Sequence, residues 1–390
     1  MVGKRASGQL PLRIAFISSS DPTDVRSFSG TPFHMVRALQ GHFPDMDVVR
    51  QSRATWAYRF DRAVWHLTRR RVNPYYWPRL NRWFAKRLAR RWRGERVLVI
   101  GVVNAALVSE LAELVAVLNV TDATFALMRP FYTLFEELSR RTARTAEEME
   151  RRSIRLSVHN SFSSQWAADS AVRDYGADKR EVSVIPWGCN IDDVPPSEVR
   201  PASDRGDTCR LLFIGIHWLR KGGDVVLAAG ELLAERGFPI RVDIVGSAPD
   251  DGLPDRPWLR DHGYLSKADE SQRAKLRELI RNADFLFLPT RQDTYGIVFA
   301  EASAYGTPSV TRDIGGVASV VRNGVNGILL PQDATAENFA DAIEHAWREA
   351  ERYTALREGA RREYEERLNW TSWARSMADV IARLEAAGRI

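Results

Sequence analysis

Cysteine and long apolar runs are what this sequence of 390 residues has least of. Its two cysteines, Cys189 and Cys209, are too few for a disulfide framework and cannot supply a zinc site by themselves, so we expect both to be ordinary core or linker residues. No window approaches the roughly 20 consecutive apolar residues that a membrane-spanning helix needs. The first apolar run is also too short for a secretory signal, and we therefore expect the chain to stay in the cytoplasm.

Low-complexity stretches are lacking as well. The turn residues, 25 Gly and 18 Pro, are distributed among evenly spread apolar residues, which excludes a collagen-like, coiled-coil or mostly disordered chain. A length of 390 residues with 44% hydrophobic residues instead allows two full hydrophobic cores.

Short apolar runs alternate with helical patterns along most of the chain. The runs predicted as strands are 12–17, 97–100, 117–120, 154–158, 211–214, 242–245, 285–288 and 309–311. This alternation predicts an α/β fold in which parallel sheets are covered by helices on both faces. We predict a Rossmann-like domain at 1–190, a linker rich in Pro and Asp at 191–207, a second Rossmann-like domain at 208–365, and a final helix at 366–390 that packs back on the first domain.

The sharpest motif follows the predicted strand 285–288. Pro289 ends the strand, and a loop containing Asp293 leads into a helix near Gly296, so that Glu301 falls in the helix's first turns. The free N–H groups of Gly296, Ile297 and Val298 would then face the crevice at the sheet edge, where such a helix end binds phosphate. A carboxylate such as Glu301 suits two hydrogen bonds to adjacent ribose hydroxyls. For an isolated pair of acids, the alternative is a helix-dipole contact and an exposed loop carboxylate.

A second motif follows the strand 211–214. Gly215 is followed by a turn that carries Arg220 and Lys221, and Gly222 and Gly223 then open a helix. Two cations in front of a helix amino terminus are poorly placed for the helix dipole, so they favour an anionic partner such as a diphosphate. The alternative is a solvated basic turn.

Two weaker signals lie in the first predicted domain. Gly30, before Thr31 and Pro32, permits close approach of a ligand at the start of the first helix. Asp122 follows the strand 117–120, where an acid is either catalytic or a helix cap.

Taken together, these motifs resemble the retaining glycosyltransferases of family 4, which have the GT-B fold of two facing Rossmann-like domains with a cleft between them. The run YGIVFAEASAYGTPSV, preceded by Asp293, matches the family's two acids separated by seven residues. Further matches are Arg-Lys-Gly at 220–222, Ser-Gly-Thr at 29–31, IVG at 244–246, GYLSK at 263–267 and GGV at 315–317. The resemblance covers most of the chain and is most specific between Arg210 and Pro331.

The resemblance implies a role for each matched position. Glu301 would hold the ribose of a nucleotide diphosphate-sugar donor, Arg220 and Lys221 would hold its diphosphate, and Asp293 would contact the sugar hydroxyls. The remaining implied positions are Gly30, Gly215, Gly246, Leu265, Gly296, Ile297 and Val298 on the donor and Asp122 near the transferred sugar. It also implies retention of anomeric configuration, and no metal or other cofactor.

Three positions depart from the family's pattern. Asp293 stands where many members have Glu, Ile216 stands where many have Arg, and Asp122 stands where others often have His. Arg220 then substitutes for the arginine that is missing at 216. These departures concern the donor sugar more than the reaction class.

Charge is concentrated in one segment. Residues 53–96 contain fourteen Lys and Arg against two acids, a net charge of +12 that leaves −6 for the rest of the chain, and they hold five of the twelve tryptophans. Between Pro78 and Gly94 the apolar residues recur at helical spacing, namely Leu80, Trp83, Phe84, Leu88 and Trp92. This basic helix either lies on an anionic membrane or lipid-linked acceptor, or is a core helix with an arginine-rich polar face.

The motifs favour a glycosyltransferase that acts on an envelope polysaccharide or lipid-linked glycan, at the inner face of the membrane. A nucleic-acid partner is disfavoured, because the rest of the chain is acidic and no nucleic-acid motif is present. The remaining alternatives are an epimerase or phosphorylase of the same fold, and a subunit that binds sugar nucleotide or acidic polymer without turnover.

Overall fold

The structure, a computed structural model, describes residues 10–50, 53, 55–191, 194, 199–249 and 252–390. The chain divides into two compact units, one made of Met1–Ile185 with Ala374–Ile390 and the other of Pro186–Trp373. Of the linker predicted at 191–207, residues 192–193 and 195–198 lie outside the described residues.

The first unit is built on a six-stranded parallel sheet. Its strands are β1 (Leu12–Ser18), β2 (Asp47–Val48), β3 (Arg96–Val102), β4 (Ala116–Thr121), β5 (His159–Phe162) and β6 (Val182–Val184). They lie in the order β2-β1-β3-β4-β5-β6, and β1 pairs with β3 from Leu12↔Arg96 to Ser18↔Val102. Ala15, Phe16 and Ile17 are fully buried, as expected for a strand that is covered on both faces.

Helices connect these strands. They are α1 (Thr31–Gln40), α2 (Thr55–Leu67), α3 (Pro78–Ala89), α4 (Ala105–Leu111), α5 (Phe125–Phe131), α6 (Thr133–Glu136), α7 (Arg140–Leu156) and α8 (Gln165–Tyr175). Ser139 caps α7, because its side chain accepts a hydrogen bond from the Thr142 N–H (3.2 Å).

The strand predicted at 154–158 is wrong. Ile154 and Leu156 belong to the last turn of α7, and the strand β5 begins three residues later with the polar sequence His-Asn-Ser-Phe. Two of its buried polar side chains are hydrogen bonded: His159 Nε2 contacts the Ser183 hydroxyl (3.0 Å), and Asn160 accepts from the Asn119 side chain (3.1 Å) and donates to the Ile154 carbonyl (2.9 Å). A prediction from apolar runs therefore missed this strand, because its buried residues are mostly polar and depend on hydrogen bonds.

The second unit repeats the architecture. Its strands are β7 (Cys209–Gly215), β8 (Ile240–Gly246), β9 (Leu259–Asp261), β10 (Phe285–Phe287), β11 (Ser309–Arg312) and β12 (Gly327–Leu330). They form a parallel sheet in the order β12-β11-β10-β7-β8-β9. The strands predicted at 211–214, 242–245, 285–288 and 309–311 are confirmed within a few residues by β7, β8, β10 and β11.

The helices of the second unit follow its strands. They are α9 (Trp218–Lys221), α10 (Gly223–Glu235), α11 (Glu270–Asn282), α12 (Ile297–Ala304), α13 (Ala336–Arg348) and α14 (Ala350–Glu366), and the last helix of the chain is α15 (Trp370–Ala386). Trp373 of this last helix is 1% exposed and so anchors the helix in a core. Cys189 and Cys209 are free and buried, as predicted.

The described end of the predicted linker belongs to the second unit. Arg205 donates a hydrogen bond to the carbonyl of Trp347 (2.6 Å), and Arg200 forms an ion pair with the buried Asp284. The second unit thus begins, at Pro186, before the segment that composition marked as a linker. None of the helices in the described part of the chain is long and apolar enough to cross a membrane.

Candidate functional site

The order of the second sheet determines where its loops converge. Strand β7 lies between β10 and β8, so connections leave the carboxyl ends of β7 and β10 toward opposite sides of the sheet. In open parallel sheets, ligands bind outside the carboxyl ends of the strands at such a switch point. The turn after β7 and the loop after β10 carry the two strongest motifs of the sequence.

These two motifs form a single site. The Lys221 ammonium pairs with the Asp293 carboxylate at an Nζ–Oδ2 distance of 2.5 Å, and the two side chains are only 13% and 11% exposed. The predicted anionic partner of the basic turn is thus, in this structure, the acid of the other motif. In a largely buried ion pair each charge compensates the desolvation of the other, so neither side chain can lose its partner without a replacement.

Backbone contacts fasten the turn to the loop. The Arg291 N–H donates to the Arg220 carbonyl (2.8 Å), and the Arg220 guanidinium donates to the Gln292 carbonyl (2.9 Å). Arg291 also makes a bidentate pair with Asp224 at the start of α10, with both N–O distances 2.7 Å. The positions of Arg220 and Lys221 are therefore set by the loop that carries Asp293.

Glycines allow the close approach of these segments. Gly222 has φ +81°, and a Cβ atom there would lie 2.3 Å from the Pro289 carbonyl oxygen. Gly246, with φ +119°, would place a Cβ 2.0 Å from the Gly215 oxygen. Any side chain at Gly222 or Gly246 would push apart the strand ends that hold the site.

The helix α12 begins beside the ion pair. Gly296, with φ +82°, is its N-cap and makes no side-chain cap hydrogen bond. A Cβ at Gly296 would lie 3.4 Å from the Asp293 Oδ2 atom, so the helix start adjoins the acid. Ile297 and Val298, in the first turn, are half-buried.

The second acid of the motif has a different partner. Glu301 is 2% exposed and forms an ion pair with Lys267, which follows the half-buried Leu265 by two residues. A buried carboxylate needs such a partner, because its desolvation otherwise costs several kcal/mol. Glu301 is therefore neither an exposed acid nor only a dipole contact, and Lys267 is a site residue to which sequence reasoning gave no role.

His217 is a further residue that sequence reasoning missed. It is the residue before α9, next to the basic turn. Burial lowers the pKa of His217 below its usual value, and the positive charges of Arg220 and Lys221 lower the pKa further. The only sequence signal was a histidine three residues before two cations, which by itself indicates nothing specific.

The predicted residues Gly30 and Asp122 lie in the first unit. Gly30 has φ +87° and follows Phe28 and Ser29, which have φ of 49° and 57°, so three consecutive residues are left-handed before α1. Such strain in non-glycine residues is typical of functional loops. Asp122 is half-buried directly after β4. Their predicted contacts with a donor or transferred sugar stay predictions.

The apolar face of the basic helix packs mostly in the core of the first unit. In α3 the side chains of Phe84, Ala85 and Leu88 are buried, and they pack with Trp92 in that core. Trp83, which the apolar pattern placed on the same face, is instead 50% exposed. Contact of this helix with a membrane or an acceptor stays a prediction.

The overall fold is shared with known enzymes. The sucrose-phosphate synthase of Thermosynechococcus elongatus matches with a TM-score of 0.68 at 14% identity, over 96% of this chain and 99% of that one. Anabaena Alr3699/HepE in complex with UDP matches with a TM-score of 0.66 at 15% identity, over 95% and 100%. These likenesses confirm the predicted fold class: the protein has the GT-B fold of two Rossmann-like α/β units.

The sequence of the second unit is similar to that of a known family. Residues 208–349 match the family model described as glycosyl transferases group 1. A D-inositol 3-phosphate glycosyltransferase of Xylanimonas cellulosilytica is 31% identical over 240 residues, 57% of this chain and 56% of the relative. A second one, of Catenulispora acidiphila, is 32% identical over 231 residues, 55% and 54%. The match thus spans just over half the length of these curated relatives.

Proposed function

We propose that this protein is a glycosyltransferase that moves a sugar from a nucleotide diphosphate donor to a glycan acceptor with retention of anomeric configuration. The observation that carries the proposal is the Lys221–Asp293 ion pair beside the amino terminus of α12, whose N-cap is Gly296, at the switch point of the second sheet. That arrangement combines two cations, a helix end and a buried acid around one point.

The donor diphosphate is proposed to bind Arg220, Lys221 and the first N–H groups of α12. Both the cations and the helix end attract an anion, and together they offset its charge without a divalent ion. Metal-independent binding is a part of this proposal that EDTA tests directly. On diphosphate binding, the Lys221 ammonium turns from Asp293 to the phosphate, and Asp293 becomes available to the hydroxyls of the donor sugar.

Glu301 is proposed to bind the donor ribose. Its carboxylate has two oxygens suited to adjacent hydroxyls, and its present partner Lys267 is 31% exposed in the side chain and can move aside. Gly215, Gly246 and Leu265 complete the donor-binding residues. The glycines support this role through close backbone approach, since a Cβ at either one would meet neighbouring atoms within 3.0 Å.

In the proposed reaction, the bond between the sugar C1 and the diphosphate oxygen breaks while C1 bonds to the acceptor oxygen on the same face. The acceptor's proton passes to the leaving diphosphate, so that no enzyme nucleophile is needed. Arg220 and Lys221 stabilise the negative charge that develops on the diphosphate, a contribution typically worth a factor of about 10² to 10³ in kcat per group. Asp122 is proposed to lie near the transferred sugar from the acceptor side.

The acceptor is proposed to be an envelope polysaccharide or a lipid-linked glycan that binds the first unit. The exposed cations of the segment 53–96 support this proposal, since they suit an anionic acceptor or the inner face of a membrane, where the protein would be peripheral. The names of the relatives from Xylanimonas and Catenulispora favour a second candidate, a phosphorylated inositol. Transfer assays that offer both acceptor classes separate them.

The first experiment measures thermal stability against a panel of sugar nucleotides in the presence of EDTA. A ligand at 100 times its dissociation constant adds about 2.7 kcal/mol to the free energy of unfolding, which gives a readable shift. We expect one sugar nucleotide to stabilise the protein, and Glu301→Ala to abolish the shift. Glu278→Ala is the matched control, because Glu278 is an exposed acid on α11 in the same unit.

The outcomes distinguish the alternative functions. Transfer that requires an acceptor supports the proposal, whereas a new sugar nucleotide formed without acceptor indicates an epimerase, and phosphate-dependent cleavage indicates a phosphorylase. A donor that binds but is never consumed with any acceptor indicates a non-catalytic binding subunit. If no sugar nucleotide shifts the protein, the proposed donor site is wrong.

A further inference from the structure

The first unit contains a groove that the proposed donor chemistry does not use. It lies between α2, α3 and the start of α7 and has a volume of about 940 Å³. Four aromatic side chains line it while staying partly exposed, and we call these residues the aromatic rim: Trp56 (54%), Phe60 (39%), Trp77 (43%) and Trp83 (50%). Clustered exposed tryptophans are unusual on a soluble surface and mark an interaction site.

The aromatic rim is held in place by the core beneath it. The Trp83 ring packs edge-to-face on the buried Phe84, with 4.8 Å between centroids, and Trp56 contacts the same ring at 6.1 Å. Phe60 and Trp77 pack on each other at 5.7 Å. The rings are therefore fixed before any ligand binds, which lowers the entropic cost of binding.

The polar lining of the groove is cationic. Arg79 and Arg141 contribute to it, together with hydroxyl and amide side chains, and none of the described residues that line it is acidic. Both arginines are exposed. The lining also contains the aliphatic side chains of Val72, Pro78 and Leu80. An occupant of matching chemistry has an aliphatic part for these side chains and an anionic group for the arginines.

We infer that this groove seats an anionic phospholipid of a bilayer, with an acyl chain among the aromatic rim and the phosphate near Arg79 and Arg141. Tryptophan rings suit the boundary between headgroups and acyl chains, and arginines at that level attract anionic lipids. A neutral glycan would use carboxylate and amide partners, and the described lining of the groove offers no carboxylate. A nucleic acid would leave the aliphatic lining without a partner.

This inference rests on the membrane contact in the proposed function. It assigns that contact to the groove rather than to the exposed cations of the segment 53–96 in general. Phe84, Ala85 and Leu88 of α3 are buried in the core, whereas the groove is lined by the exposed aromatic rim and by the exposed Arg79 and Arg141. Donor binding resides in the second unit, so the two proposals fail independently: sugar-nucleotide stabilisation tests one, and vesicle binding without donor tests the other.

The test is sedimentation of the full-length protein with vesicles of phosphatidylcholine, with and without phosphatidylglycerol. We expect binding only to the anionic vesicles. Arg79→Gln/Arg141→Gln should bind about 30-fold more weakly, at about 1 kcal/mol for each arginine. The matched control, Arg155→Gln/Arg375→Gln, removes the same charge from exposed positions of the first unit outside the groove and should bind like the wild type.

A second pair of variants tests the rings. Trp56→Ser/Trp83→Ser should lose at least tenfold in vesicle affinity, whereas Leu114→Ser/Leu156→Ser, which removes similarly exposed apolar side chains elsewhere in the unit, should not. Dibrominated phosphatidylglycerol should quench tryptophan emission in the wild type, and the quenching should fall in Trp56→Phe/Trp83→Phe although binding persists. A cooperative urea unfolding transition like that of the wild type shows that each variant is folded.

Three results would overturn the inference. One is equal sedimentation with neutral and anionic vesicles, and another is groove variants that bind vesicles as well as their matched controls. The third is a soluble glycan or an oligonucleotide that protects the rim tryptophans from aqueous quencher when anionic vesicles do not.

Discussion

Lys221 and Asp293, 72 residues apart in the sequence, form a nearly buried ion pair between the loops that follow β7 and β10. Each belongs to a motif that suggests an anion or a hydroxyl ligand on its own. A ligand that binds either side chain would compete with this ion pair. The proposed binding of the donor is therefore an exchange of ion-pair partners rather than the filling of an open cation site.

The exchange predicts the effects of removing either partner. Lys221→Ala leaves the Asp293 carboxylate buried without its cation, and we expect a loss of about 3–5 kcal/mol in the free energy of unfolding, as for other broken buried pairs. Asp293→Asn in the Lys221→Ala background should restore part of the lost free energy of unfolding. In a double-mutant cycle, the coupling energy between the two positions should be about 0.5–3 kcal/mol. Urea denaturation of the four proteins measures both quantities.

The same lysine is expected to act in turnover. Lys221→Ala should reduce kcat by about 10² to 10³, because one group that stabilises the leaving diphosphate is lost. Lys275→Ala, which removes an exposed lysine of α11 in the same unit, is the control and should be fully active. Full turnover in Lys221→Ala with donor still bound would exclude the proposed charge stabilisation.

Another prediction concerns Gly222, where the turn after β7 approaches Pro289 at the end of β10. Gly222→Ala and Gly237→Ala both place alanine at a left-handed position, at a cost of roughly 1–2 kcal/mol each. Only Gly222→Ala also drives a Cβ to 2.3 Å from the Pro289 oxygen, whereas Gly237 has nothing within 4 Å. We therefore expect Gly222→Ala to lose about 1–3 kcal/mol more in urea denaturation and to lose donor binding.

The matched glycine pair separates backbone strain from crowding. If Gly237→Ala destabilises the protein as much as Gly222→Ala, the left-handed conformation alone accounts for the loss. If Gly222→Ala retains normal donor affinity, the approach of the turn to the strand end is not needed for binding.

Most strands of the fold could be predicted because they are continuous apolar runs. Strand β10, whose three residues are fully buried, is an example. Strand β5 could not, because its burial depends on bonds such as that between Asn119 and Asn160, which only the tertiary structure brings together. The edge strand β2 has two residues and carries no pattern of its own.

Individual residues of the candidate site could be proposed from the sequence, but the contacts between them could not. The helix start at Gly296 and the acid Glu301 follow from local spacing, since they lie in one loop and helix. The pairing of Glu301 with Lys267 spans 34 residues, and no local rule predicts it. His217 carries no motif, and its perturbed pKa arises from burial and from cations that fold against it.

That histidine provides a third prediction. A donor diphosphate would offset the positive charges of Arg220 and Lys221 and so raise the pKa of His217, which these charges lower in the free protein. Donor binding then takes up a proton, and affinity should rise as pH falls through the interval between the free and bound pKa values. Each unit of difference is worth up to a tenfold change in affinity.

Calorimetric titration of a sugar nucleotide at several pH values measures this linkage. The diphosphate of a sugar nucleotide has no titrating proton in this range, so the slope reports on the protein. His217→Asn should flatten the pH dependence, and His345→Asn, at an exposed histidine of α13, should not. An unchanged slope in His217→Asn would show that another group takes up the proton.

The last prediction concerns the buried Glu150 of α7. Burial raises the pKa of Glu150 from 4.5 to about 8, and the charge of Glu147 adds to the shift. The folded state therefore holds a proton that the unfolded state releases above pH 4.5, and stability should fall as pH rises from 4.5 to 8. The slope is about 1.4 kcal/mol for each pH unit.

His159 opposes this trend at lower pH. Burial lowers its pKa from 6.5 to about 4, with a further contribution from Arg383 and Arg389, so its effect on stability rises with pH between 4 and 6.5. The two slopes offset each other between pH 4.5 and 6.5. We therefore expect a plateau of the free energy of unfolding there and a decline from pH 6.5 to 8.

The variant Glu150→Gln cannot ionise and should abolish the decline, so that urea denaturation at pH 9 finds the variant more stable than the wild type. Glu148→Gln, at an exposed acid of the same helix, should leave the decline intact; if it does not, or if Glu150→Gln declines like the wild type, Glu150 is not the group that titrates.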